Sequence, residues 1–231
     1  MKEYSTAALD NALQCGGFTI LEQDEQGLMI LSPLENLVMM KQDNPETARS
    51  WLLRHEEEAH GYPLVCMQGK ELCDLFAELY PGKARQDVQR YIWTKSTAPK
   101  GPRTLFYRDC IPEDYQWIRE RYALSSDEEL KIAIERKNIL LAFEDEEPVG
   151  FAGLHLEGSM GMLVVFEGYQ RKGYAKEIEA RIIDKALKQG LVPYCEVFEG
   201  NEISMHLQEV MGLEPFDETV AWFFEPEDGT E

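Results

Sequence analysis

The stretch that most constrains this chain is Val164–Ala175, VVFEGYQRKGYA, because it fixes three consecutive pieces of local structure at once. An apolar strand ends in a short loop, Gln170, Arg171, Lys172, Gly173, Tyr174 and Ala175, and the loop opens Lys176–Gln189. In that run Ile178, Ile182, Ile183, Ala186 and Leu187 recur at the spacing of one buried helical face. The first amides of such a helix have no intrahelical acceptor, and the helix dipole is positive there. With two adjacent cations and a glycine that lets a ligand approach the backbone, the loop reads as a site for a phosphate-bearing ligand.

The loop resembles the acyl-CoA-binding motif of the GNAT superfamily of N-acyltransferases. The order Q/R-x-x-G-x-G/A after an apolar strand is met by Gln170, Gly173 and Ala175. The chain beyond the helix resembles the superfamily too: Gly190, the strand-like Val192–Phe198, then Glu199-Gly200-Asn201-Glu202, and a helix pattern of Ile203, Leu207, Val210 and Met211 closed by Gly212. The resemblance covers Thr104 to Phe224. Within the superfamily, Gly190–Pro193 and Asn201-Glu202 are similar to the glycine N-acyltransferase-like branch.

The resemblance implies an α/β fold: a GNAT-like mixed, splayed central sheet flanked by helices, preceded here by a smaller α/β N-terminal domain. It implies acetyl-CoA as co-substrate, with the backbone of Leu163, Val164 and Val165 pairing to the pantetheine arm and Gln170 to Ala175 cradling the pyrophosphate. Asn201 and Ser204 are suited to capping a helix, and by resemblance the asparagine also touches the pantetheine or thioester. The implied reaction moves an acetyl group to a primary amine of a small molecule or peptide. A non-catalytic acyl-CoA-binding or sensing module is the alternative.

The family's proton-transfer groups do not carry over. The position matching the superfamily tyrosine holds Gln208, and the position matching the branch's strand glutamate holds Ser159. Acyl transfer still needs an uncharged amine and a proton for the departing thiolate. Glu196, Glu157, Glu167, His155 and His206 remain, and Glu196 and His155 lead because they lie on expected interior strands. No metal is expected: His55 and His60 in HEEEAH are five apart, whereas a shared helix face needs a spacing of four.

The net charge is −20, with 10 Lys plus Arg against 15 Asp plus Glu up to Lys100 and 13 against 28 beyond it. Such a surface repels nucleic acid and anionic membranes and attracts amines, although acidity also simply serves solubility. Five cysteines with no C-x-x-C pair, and no leader-like start, point to reduced thiols and a cytoplasmic location. No apolar run reaches the ~20 residues a membrane helix needs. A homodimer is an open expectation.

The segment Lys95–Arg103, KSTAPKGPR, is the best linker, giving domains over 1–98 and 99–231. Before it the pattern predicts a helix over Ser5–Leu13, a hairpin of Phe18–Leu21 and Leu28–Leu31, and a strand at Leu37–Met40. A helix from Asn44-Pro45 is expected to run into Glu56–Glu58. Further expected pieces are a strand at Leu64–Met67, a helix over Glu71–Leu79 and a strand at Tyr91–Thr94. Beyond it, strands are expected at Thr104–Tyr107, Ile139–Phe143, Val149–Leu154, Met160–Val165, Val192–Phe198 and Thr219–Phe224. Helices are expected over Pro112–Tyr122 and Asp127–Arg136. No internal sequence repeat is visible, but the order of elements leaves room for a degraded copy of the second half in the first.

Overall fold

The computed structural model describes residues 4–61, 63–101 and 104–226, so Pro102 and Arg103 of the expected linker lie outside the described residues. Contacts divide the chain into two compact units. The first takes Met1–Arg90, Val197–Met205 and Pro215–Glu231, and the second takes Tyr91–Glu196 and His206–Glu214.

The first unit opens with helix α1 (Ala7–Cys15) and an antiparallel meander of β1 (Thr19–Gln23), β2 (Gly27–Ser32) and β3 (Leu37–Gln42). Helix α2 (Pro45–Arg54) starts where Asn44 accepts hydrogen bonds from the amides of Glu46 and Thr47 and Pro45 pre-sets the first turn. The acidic run expected to extend it forms a separate short helix, α3 (Glu56–Gly61). β4 (Leu64–Gln68) then pairs in parallel with β3, Leu37 beside Leu64 through Lys41 beside Gln68. Helix α4 (Lys70–Leu79) leads to β5 (Ala84–Ile92), which passes into the second unit at Tyr91.

The last strand, β12 (Val220–Phe224), inserts antiparallel between β4 and β5. Alternation makes one face of these strands apolar, and Met29, Val38, Met40, Val65, Met67, Ala221 and Phe223 pack there against Trp51, Leu52, Leu72 and Phe76 of the helices. Sequence pattern alone missed most of β5, because Ala84–Arg90 is polar. Its Arg90 is buried and donates to Gln68 at 2.6 Å, while Arg85 pairs with Asp74 and Asp87.

The second unit holds β6 (Phe106–Asp109), a 3-10 turn at Pro112–Asp114, α5 (Tyr115–Arg119) and α6 (Asp127–Glu135), the last capped by Ser126. The single helix expected over Pro112–Tyr122 is thus two short pieces. β7 (Ile139–Glu144), β8 (Glu147–Leu154) and β9 (Met160–Val165) come next, giving a sheet in the order β6-β7-β8-β9 with antiparallel neighbours. Helix α7 (Tyr174–Lys188) packs on β8 and β9. It buries Ile178, Ile182, Ile183 and Ala186.

After α7 the chain forms β10 (Tyr194–Phe198), α8 (Glu202–Met211) and the two-residue β11 (Glu214–Pro215). β10 does not join the sheet of β9: it lies beside Trp93, whose amide donates to Pro193 O at 2.8 Å. The succession of helix, three-strand meander, helix, strand and helix therefore occurs twice, from α1 to α4, with the short α3 interposed before the strand, and from α6 to α8.

Candidate functional site

Local chemistry builds the loop after β9. Gln170 Nε2 donates to Val165 O at 3.2 Å, which folds the chain back on the strand end. Gly168, Arg171 and Gly173 have φ of 90°, 62° and 89°, so the backbone alternates into the left-handed region just before α7. Gly173 is the residue that caps α7, and having no side chain it accepts no capping hydrogen bond from the first-turn amides. In the first unit the equivalent helix start is closed by Asn44. The α7 start therefore offers backbone donors to an anion, and the α2 start does not.

Gln170, Arg171, Lys172 and Gly173 are exposed, Tyr174 is buried and Ala175 half-buried. Lys172 lies 3.4 Å from Glu144 and over the rings of Tyr169 and Tyr174. The Tyr174 hydroxyl donates to the same Glu144 carboxylate, which pushes the phenol up to about 12. Leu163, Val164 and Val165 are half-buried on β9, the edge of its sheet. Among the described residues that leaves one side of β9 without a strand partner, as a ligand pairing to its backbone needs.

Asn201, in the first unit, takes a capping role: its Oδ1 accepts from Ser204 N at 3.2 Å at the start of α8. His155 ends the β8 side of the turn to β9, where its Nδ1 is 2.9 Å from Glu129 Oε1 of α6. Gly161 is required opposite it, since a Cβ there would run into the His155 ring. Burial raises the Glu129 pKa, but hydrogen bonds from His155 and the Ser126 backbone outweigh it, leaving Glu129 below its ordinary value.

Glu157, in the same turn, is buried, and burial lifts its pKa despite the opposing charge of His155. Ser159 Oγ donates to Glu157. Glu196 sits half-buried on β10, in a different sheet from β8 and β9, the strands that the turn of His155 joins. Glu167 and His206 are exposed. His55 pairs with Glu22 at 3.1 Å and with Glu58 at 3.7 Å.

Two buried carboxylates went unread in the sequence. Glu177 accepts from Thr104 N and Leu105 N, each at 2.9 Å, and from Thr104 Oγ1 at 2.7 Å, tying the approach to β6 onto the first turn of α7. Glu179, on the same helix, meets Gln208 of α8. A glutamate at a buried position of an amphipathic helix was the available signal for both.

Residues 104–213 match the family model described as Acetyltransferase (GNAT) family. No curated protein matches the sequence. Among solved structures the chain is similar to a Drosophila protein at 14% identity and a TM-score of 0.71, over 92% of this chain and 80% of that one. A GCN5-related N-acetyltransferase from Kribbella flavida aligns at 11% identity and a TM-score of 0.64, over 97% and 95%. A tandem GNAT protein from the clavulanic acid biosynthesis pathway aligns at 13% and 0.53, over 96% and 89%. The chain thus has the mixed α/β GNAT fold with an additional N-terminal sheet region, and its residues 104–213 are similar to the acetyltransferase (GNAT) family.

Proposed function

We propose that the protein transfers an acetyl group from acetyl-CoA to a primary amine of a small molecule or peptide. The observation that carries the reading is the α7 start, where first-turn amides without a side-chain cap come after a left-handed Gly173 at the end of edge strand β9. The pyrophosphate would be held by those amides with Arg171 and Lys172, and the pantetheine would run along Leu163–Val165. The Gly190–Pro193 and Asn201-Glu202 steps keep the glycine N-acyltransferase-like branch as the nearer relative in this reading.

In this reading the amine attacks the thioester carbonyl, the new C–N bond forms and the C–S bond breaks. The amine proton goes to a protein base and the thiolate leaves with a proton from solvent. His155 is the first choice for the base. Donation from Nδ1–H to Glu129 fixes the tautomer with the lone pair on Nε2. Glu196 is the second choice. The negative surface beyond Lys100 favours a cationic acceptor.

The test is calorimetry with acetyl-CoA, followed by thiol release with a panel of amines. The parent binds and turns over, while Gly173→Glu, which sets a carboxylate at the loop, abolishes binding. Equal binding by both proteins would remove the loop assignment. Binding without thiol release from any amine would remove the transferase reading.

A further inference from the structure

The contact between α7 and α8 leaves a specific imbalance of hydrogen-bonding groups. Glu179 and Gln208 are both buried, with relative exposures of 5% and 4%. They hydrogen-bond to each other, yet Glu179 Oε2 and Gln208 Oε1 have no partner. The bond that exists therefore runs from Gln208 Nε2–H to Glu179 Oε1. The two remaining atoms are both acceptors when Glu179 is ionised, and a buried acceptor without a donor is costly. Turning the amide over only sets its oxygen against a carboxylate oxygen.

One proton removes the imbalance. We propose that Glu179 is held as the neutral acid in the folded protein and donates its Oε2–H to Gln208 Oε1. The α7–α8 contact is then a carboxylic acid–amide pair with two antiparallel hydrogen bonds, and it loses one of them when Glu179 ionises.

The surroundings agree. Burial raises the Glu179 carboxyl to about 7, and the Gln208 amide is the one group that opposes it. The titratable group facing it from β10 is the Cys195 thiol, which burial first, and then the carboxylates of Glu179 and Glu196, push well above its ordinary value, so it stays uncharged. Among the described residues no cation acts on Glu179. The site thus favours the neutral form, and the proton comes from solvent.

A group whose folded pKa is raised adds stability that is complete below the unfolded value of 4.5 and is lost as pH climbs to about 7. Glu179→Gln supplies a permanent amide of the same shape that pairs with Gln208 and cannot titrate. In urea unfolding of the full chain, the parent's folding constant should fall relative to Glu179→Gln by up to about tenfold per pH unit across that window. It should run parallel above it. A ratio that does not change with pH overturns the proposal.

If Glu179→Gln does not fold, carbon-13 NMR of the parent decides. The carboxyl resonance shifted by Gln208→Met should titrate near 7, and a midpoint in the ordinary carboxylate range overturns the pair. Neither measurement uses acetyl-CoA, so the inference and the transferase reading stand or fall separately.

Discussion

At the scale of single residues, the second unit depends on carboxylates placed where their hydrogen bonds are counted out. Glu177 satisfies two backbone amides and one hydroxyl. Glu177→Ala should therefore cost about 2 kcal/mol in urea unfolding, since it leaves the buried Leu105 amide without an acceptor. Gln208 resists the reading its sequence position invites. A glutamine at a position where the resemblance implies a tyrosine looks dispensable, but here its side chain hydrogen-bonds Glu179. Gln208→Ala should destabilise the fold by about 1–3 kcal/mol, because it leaves the buried Glu179 carboxyl without its partner.

The Glu129–His155 pair behaves in the opposite sense to Glu179. Because the folded pKa of Glu129 is lowered, its contribution is present above the unfolded value of 4.5 and is lost as pH falls through the folded value. Thermal melts of Glu129→Gln should converge with the parent in acid and fall below it near neutral pH. If His155 is the base of the proposed reaction, the rate of that variant should drop with little change in the KM for acetyl-CoA.

At the scale of elements, two helix starts of the same order in the chain are built for different ends. Asn44 fills the donors of α2, and Asn44→Ala should cost about 1 kcal/mol with no effect on ligand binding. The α7 start relies on Gly173 in the left-handed region, where an added Cβ meets nothing within 4 Å. Gly173→Ala should thus act through backbone strain of roughly 1–2 kcal/mol and not through a clash. Gly173→Asn, which tolerates that conformation better, should recover much of the loss in a denaturation series.

The strands tell the same story. β3 and β4 pair residue by residue across the first unit, whereas β9 and β10 fall in different sheets. The first unit repeats the order of elements with both its helix start and its strand pair closed. Calorimetry should accordingly find one acetyl-CoA per chain if the proposed site is right.

At the scale of the whole molecule, the chain is not two halves in sequence. β12 comes last but lies between β4 and β5, and residues 197–205 also belong with the first unit. We propose Lys95–Arg103 as the segment proteases cut first, on its Pro and Gly content. The severed 99–231 piece would carry β12 without β4 and β5, the strands on either side of it. The nicked pair should therefore stay associated on gel filtration and separate only in denaturant. Free 99–231 should expose the apolar strand Val220–Phe224 and aggregate more readily than the full chain. Among the described residues no helix is long and apolar enough to cross a membrane.

What the sequence determined by itself was local. Asn44-Pro45, Ser126 and the glycine loop before α7 declare helix starts through contacts within four residues, and the apolar rhythm of Ile178 to Ala186 declares which face is buried. Those features carried both the GNAT-like fold and the phosphate-loop candidate. Tertiary structure decided the rest, because it turns on partners distant in the chain. The polar strand Ala84–Arg90 forms because Gln68 accepts from the Arg90 guanidinium, while the Phe216 amide donates to Arg90 O and its ring packs against the same cation. β12 finds its slot more than a hundred residues after the strands that flank it. Nothing within four residues sets Glu177 or Glu179 apart, because their partners, Thr104 and Gln208, are distant in the chain. A sequence states where a buried charge sits, but only the fold supplies the donor that makes burying it tolerable.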